Sequence, residues 1–132
     1  MGYNRHMNYR EFKPYGKKPG RIKHDVISYD GKTFDSKAEY ERYIELRIME
    51  KQGLISGLQV HPEYEIIPRQ KSAAGNVLFR AAKYTADFSY LRDGKLVVED
   101  VKSEYTRLEK DYVLRRKLMM YHNGIYVKEV IK

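Results

Sequence analysis

The spacing of hydrophobic positions along the chain alternates between a period of two and one near four. DVISYDGKTF (25–34) alternates on either side of Asp30-Gly31, a pair suited to a tight turn, and predicts a β-hairpin. DSKAEYERYIELRIMEKQG (35–53) predicts a helix, with Tyr40, Ile44 and Ile48 four apart and Tyr43 beside them. Asp35 or Ser36 can cap its start, and Gly53 suits the position just past its end. LQVH (58–61) and YEIIP (64–68) read as short strands bounded by prolines, and KSAAGN (71–76) as a loop. VLFRAAKYTADFSYL (77–91) reads as one long extended stretch, turned at Asp93-Gly94 into KLVVEDVKS (95–103). EYTRLEKDYVLRRKLMMYHNG (104–124) predicts a second helix, with Leu108, Leu114, Leu118 and Tyr121 near one stripe, and IYVKEVI (125–131) a last strand. Strand, helix and strand in that order favour a right-handed parallel crossover. The expectation is an α/β domain: a mixed sheet flanked by helices, in the order hairpin, helix, meander, helix, strand.

Composition narrows the class. Of 132 residues, 42% are hydrophobic and 33% charged, which suits a folded domain. No apolar run is long enough to span a bilayer, so neither a membrane span nor a leader is expected, and a cytoplasmic location fits. There is no cysteine, which removes disulfides and thiolate metal sites. The charge of +8 is uneven: residues 1–24 hold seven Lys or Arg against Glu11, which is +6, leaving +2 for the remainder. That stretch, including Lys17, Lys18 and Arg21, reads as a basic N-terminal arm ahead of one domain at 25–132. It suits a nucleic-acid backbone, or serves only as a solvated leader.

The chemistry gathers where VVEDVKS (97–103) ends in charge. Side chains alternate along a strand, so Leu96, Val98, Asp100 and Lys102 share one side and Val97, Glu99 and Val101 the other. Asp100 and Lys102 by themselves form either a site or a surface ion pair. In YTADFSY (84–90), Tyr84, Ala86, Phe88 and Tyr90 share a face opposite Thr85, Asp87 and Ser89. Folding back through Asp93-Gly94 brings Asp87 beside Asp100. Two acids so placed repel unless a proton or cation lies between them, and their oxygens suit Mg²⁺ or Mn²⁺. Glu99 reads as a surface or sheet-edge acid, replacing Asp100 only if the register slips by one. A zinc site is not expected. His6 and His24 lie in or at the edge of the arm, while His61 and His122 read as ordinary strand and helix-end residues.

Asp87, twelve intervening residues and then Asp100-Val101-Lys102 resemble the PD-(D/E)xK signature of restriction-endonuclease-like nucleases, with Ala86 in place of the proline. Ser36-x-x-Glu39 resembles the first-helix glutamate of that superfamily, and it is equally a capping box. More narrowly, FDSKAEYERY, the Pro68-Arg69 pair, YTADFSY and VVEDVKS resemble small phage and prophage proteins related to endonuclease I-type Holliday-junction resolvases. The resemblance spans about residues 17–132.

It implies a restriction-endonuclease-like core and a Mg²⁺-dependent DNA endonuclease, with Mn²⁺ able to substitute. The protein would be phage or prophage encoded, would act in a bacterial host on junctions or branched DNA, and would be a homodimer if it cuts symmetrically. It further implies that Asp87, Asp100, the Val101 carbonyl and Glu39 hold the metal. Lys102 would orient water or stabilise the pentavalent phosphorus, and Tyr112 or Arg115 would approach the phosphate. No base-reading motif is present, so recognition of DNA by shape or backbone is expected. Rival readings are a non-catalytic nucleic-acid-binding module and a phage structural or interaction protein that keeps the fold.

Overall fold

The computed structural model describes residues 26–132. The predicted arm at 1–24, with Lys17, Lys18 and Arg21, lies outside the described residues. The first hairpin forms as expected, β1 (Ile27–Tyr29) pairing with β2 (Lys32–Phe34). Asp30 and Gly31 take φ of 56° and 73°, the left-handed pair that a two-residue hairpin turn requires. Helix α1 (Lys37–Lys51) follows, capped by Ser36. Strands β3 (Ser56–Val60), β4 (Glu63–Ile67), β5 (Gln70–Lys71), β6 (Val77–Phe79), β7 (Ala82–Thr85), β8 (Phe88–Arg92) and β9 (Lys95–Lys102) come next. A 3-10 turn at Thr106–Leu108, helix α2 (Lys110–Asn123) and strand β10 (Lys128–Ile131) complete the chain. The principal sheet has the order β10-β9-β8-β3. β9 and β10 are parallel, with α2 between them, and the other neighbours are antiparallel. This is a mixed α/β fold.

The stretch 77–91 is not one strand. It divides at Arg80-Ala81 and again at Ala86-Asp87, and 71–76 forms part of a small β5–β6 hairpin rather than only a loop. The second division has a mirror on the partner strand, where His61-Pro62 separates β3 from β4. Proline has no N–H to give to a ladder, and His61 takes a left-handed φ of 55°. The two breaks hydrogen-bond to each other. The His61 amide donates to the Asp87 carbonyl at 2.9 Å, and the Ala86 amide donates to the Pro62 carbonyl at 3.0 Å. The strand pair therefore kinks as a unit.

The kink changes which way the side chains face. Tyr84 and Ala86 pack with Val98, Tyr112, Met119 and Val127, beneath α2. Phe88 and Tyr90 instead pack with Phe34, Tyr43, Leu46 and Ile55, beneath α1. The common face predicted for Tyr84, Ala86, Phe88 and Tyr90 is thus overturned, because strict alternation fails at Asp87. The predicted helix stripes shift as well. α1 buries Glu39, Tyr43 and Leu46, leaving Ile48 exposed. α2 buries Tyr112 and Met119, while Leu108, Leu114 and Tyr121 face solvent and only Leu118 of the expected stripe packs inward.

Glu99 is not a surface acid. It is fully buried, gripped by Arg42 of α1 through Nε to Oε1 at 2.7 Å and Nη2 to Oε2 at 3.1 Å, and it accepts from the Tyr90 hydroxyl at 2.8 Å. The pair holds the Arg42 guanidinium well above its ordinary pKa, chiefly through that hydrogen bond. Burial, followed by Glu99 itself, pushes the Tyr90 phenol up to about 12. An unpaired charge at this depth costs far more than a lost surface bridge. Arg42→Met should therefore lower unfolding stability by about 3–5 kcal/mol in urea titration, and adding Glu99→Gln should restore much of the loss. A single-variant loss no larger than that of an exposed ion pair would contradict this account.

Candidate functional site

The first turn of α1 supplies Glu39, and it serves two ends at once. Ser36 Oγ accepts from the Glu39 amide at 3.1 Å, and Glu39 Oε2 accepts from the Asp35 amide at 3.3 Å. Ser36 caps the helix as expected, while Glu39 reaches back one residue further than a capping box does, to the amide before the cap. The other oxygen, Oε1, lies 2.6 Å from His61 Nε2. One carboxylate therefore contacts both the start of the helix and His61.

The kink supplies Asp87. Register pairs Phe88 with Glu99, so Asp87 stands opposite Asp100 at the point where the β8–β9 ladder ends. Beyond that point side chains replace backbone partners. The Asp87 amide donates to Asp100 Oδ1 at 2.8 Å, and the Val101 amide donates to Asp87 Oδ2 at 2.7 Å. The predicted approach of Asp87 and Asp100 is present. Asp100 Oδ2 also accepts from the Tyr84 hydroxyl, so both Asp100 oxygens are engaged. Asp87 Oδ1 makes no hydrogen bond among the described residues.

Lys102 follows on β9 with its amine 4.2 Å from the Tyr112 ring centroid, a cation–π contact. Two clefts meet here. One, of about 420 Å³, is lined by Glu39, Asp87, Val101, Lys102 and Ser103 among others. The second, of about 270 Å³, is lined by Tyr84, Asp87, Asp100, Lys102, Tyr112 and Arg115 among others. Asp87, Lys102 and Glu109 belong to both. Glu39, Asp87, Asp100, Val101 and Lys102 are thus brought to one place. Arg115 reaches its rim and donates to the Lys83 carbonyl. The Tyr112 hydroxyl is turned away to Glu129 at 3.1 Å, so Tyr112 offers the site its ring.

Too little positive charge sits among these acids. Burial first, then the charges of Asp100 and Glu39, push Asp87 up to about 7, with the Val101 amide and Lys102 opposing. Burial also raises Asp100, against the Tyr84 hydroxyl and the Asp87 amide. Tyr84 is held protonated by burial and by the Asp100 charge.

The set with converging metal-ligand atoms is Glu39, His61 and Asp87, all within 4.8 Å of one another. His61 is therefore not an ordinary strand residue. The available signal was His61-Pro62, a break between two strands facing the break before Asp87; the pairing of the two breaks is a tertiary fact. Tyr84 was also missed as a partner of Asp100, because it reads as plain core.

Residues 20–131 match the family described as Protein of unknown function (DUF1064). No curated protein and no solved structure matches the chain. No helix among the described residues is long and apolar enough to cross a membrane.

An acid whose folded pKa lies above its unfolded value near 4 binds its proton more tightly when folded. Its charge destabilises the fold above about pH 7, and the penalty vanishes below about pH 4. Asp87→Asn in EDTA should therefore be more stable than wild type at pH 8 by about 2 kcal/mol, the gap closing as pH falls to 4. Urea unfolding at pH 8, 6 and 4 measures this; equal stability at pH 8 would remove the account of burial and repulsion.

Proposed function

The chain belongs to the DUF1064 family, whose description carries no chemistry, and from the site we propose that the protein is a divalent-metal-dependent DNA endonuclease. The observation that carries this is the convergence of Glu39, Asp87, Asp100 and Lys102 on two adjoining clefts. The order of β9, α2 and β10, with α1 and α2 on opposite faces of the sheet, supports a restriction-endonuclease-like core. The donor set fits a dication: carboxylates outnumber cations, and Asp87 keeps one oxygen available. Asp87 and Glu39 would hold it, with Asp100 behind them and the Val101 carbonyl as a further candidate. A bound dication lowers the pKa of water and neutralises phosphate charge.

The remaining steps belong to the chain. Asp100 fixes the backbone amide of Asp87 and so orients that carboxylate. Lys102, standing between the clefts, steers the attacking water or steadies the charge of the pentavalent phosphorus. Arg115 at the rim meets the DNA backbone, which makes binding strongly salt-dependent. The resemblance of FDSKAEYERY, YTADFSY and VVEDVKS to small phage proteins related to junction resolvases, rather than the site itself, is what supports a structure-selective enzyme, phage encoded and acting in bacterial replication, recombination or packaging. Two active sites in a dimer would allow symmetric cutting.

One observation favours a second reading. Both Asp100 oxygens and one Asp87 oxygen are engaged in ending the ladder, so the acids can be purely structural in a non-catalytic DNA-binding or interaction module. Plasmid, four-way junction, flap and linear duplex, each with Mg²⁺, Mn²⁺ or EDTA, separate the two. We expect metal-dependent cleavage of a branched substrate by wild type. Lys102→Ala should lower the rate by about 10²-fold or more while DNA affinity in EDTA changes little. Inactivity on every substrate, with no thermal shift in Mn²⁺, would favour the module.

A further inference from the structure

A site of carboxylates alone suits Mg²⁺, which prefers oxygen ligands and keeps several waters. The folded chain adds a nitrogen. We propose that His61 is a metal ligand, so that Glu39, His61 and Asp87 select a first-row transition dication such as Mn²⁺ or Co²⁺ over Mg²⁺. The inference rests on reading the site as metal-dependent, and it changes which metal the site takes.

His61 is delivered by the paired kink. Its left-handed backbone, its bond to the Asp87 carbonyl and the bond from Ala86 to the next residue, Pro62, place its ring against the first turn of α1. The ring leans on Phe34, with centroids 6.3 Å apart, and its side chain is 36% exposed, leaving a route for an ion. Each residue has an atom to give. Glu39 Oε1 and His61 Nε2 bond to each other at 2.6 Å, and an ion between them would replace that contact while Oε2 stays on the Asp35 amide; Asp87 can use Oδ1 while Oδ2 keeps the Val101 amide. The helix start and the ladder end therefore survive loading. Imidazole is a good ligand for Mn²⁺, Co²⁺ and their neighbours and a poor one for Mg²⁺. One nitrogen among two carboxylates is enough to set the order of preference.

The test uses the full chain, stripped with EDTA and dialysed, and loaded with Mn²⁺, Co²⁺ or Mg²⁺ alone. Pulsed electron paramagnetic resonance of the Mn²⁺ form should show coupling to a histidine nitrogen, and titration should give Mn²⁺ at least about tenfold tighter than Mg²⁺. His61→Asn keeps a residue that tolerates the left-handed backbone. It should lose the nitrogen coupling and most of the Mn²⁺ preference while Mg²⁺ affinity changes less than about twofold. A Mn²⁺ spectrum without nitrogen coupling, or an unchanged preference in His61→Asn, overturns the inference. Metal-dependent cleavage without nitrogen coupling would sink the inference and leave the nuclease reading standing. Nitrogen coupling without cleavage of any DNA would do the reverse. Absence of metal binding would remove both.

Discussion

Two backbone hydrogen bonds, between His61 and Asp87 and between Ala86 and Pro62, hold a pair of strand breaks face to face. Much of the site depends on them. Without the breaks, β3–β4 and β7–β8 would run as a straight ladder and Asp87 would be one more alternating residue. With them, the facing of side chains switches between Ala86 and Phe88, so the same strand lies under α2 at one end and under α1 at the other. Asp87 sits at the switch. It can therefore look into the cleft beside Glu39 and the cleft beside Asp100 at once.

The acids are held by the ordinary needs of backbone at the end of a sheet. Ladder amides that lose a backbone partner must find another acceptor, and Asp100 and Asp87 provide it for the amides of Asp87 and Val101. This exchange fixes two carboxylates in place without rigid loops. It also concentrates negative charge in a part-buried pocket, which raises both acids. The contacts divide by oxygen atom: Glu39 gives Oε2 to the Asp35 amide and Oε1 to His61, and Asp87 gives Oδ2 to the Val101 amide.

The buried Arg42–Glu99 pair joins α1 to β9 beside the candidate site. Arg42 lies one turn beyond Glu39 on α1, and Glu99 immediately precedes Asp100 on β9. Their bidentate contact locks the helix to the strand, on the face opposite Asp100. Neighbouring residues of one strand thus do different work: Glu99 anchors α1, and Asp100 anchors the kink. Glu99 needs its charge to be paired because no water reaches it.

The order of elements was legible in the chain: the Asp30-Gly31 and Asp93-Gly94 hairpins, α1 with its Ser36 cap, the β9–α2–β10 crossover, and the approach of Asp87 to Asp100. All of these rest on local chemistry, on turn residues, caps and periodicity over a few positions. What local chemistry could not convey was the pairing of distant irregularities. His61-Pro62 reads as a strand end by itself, and Ala86-Asp87 reads as continuous strand. Only their contact makes a kink, turns Phe88 and Tyr90 toward α1, and brings His61 to Glu39. Glu99 likewise looks like an edge acid until Arg42, 57 positions earlier, closes over it. Sequence by itself determined which acids and lysine lie close together along β9 and its hairpin. Tertiary structure decided which partner each of their oxygens takes and which nitrogen joins them, because both depend on hydrogen-bond partners far away in the chain.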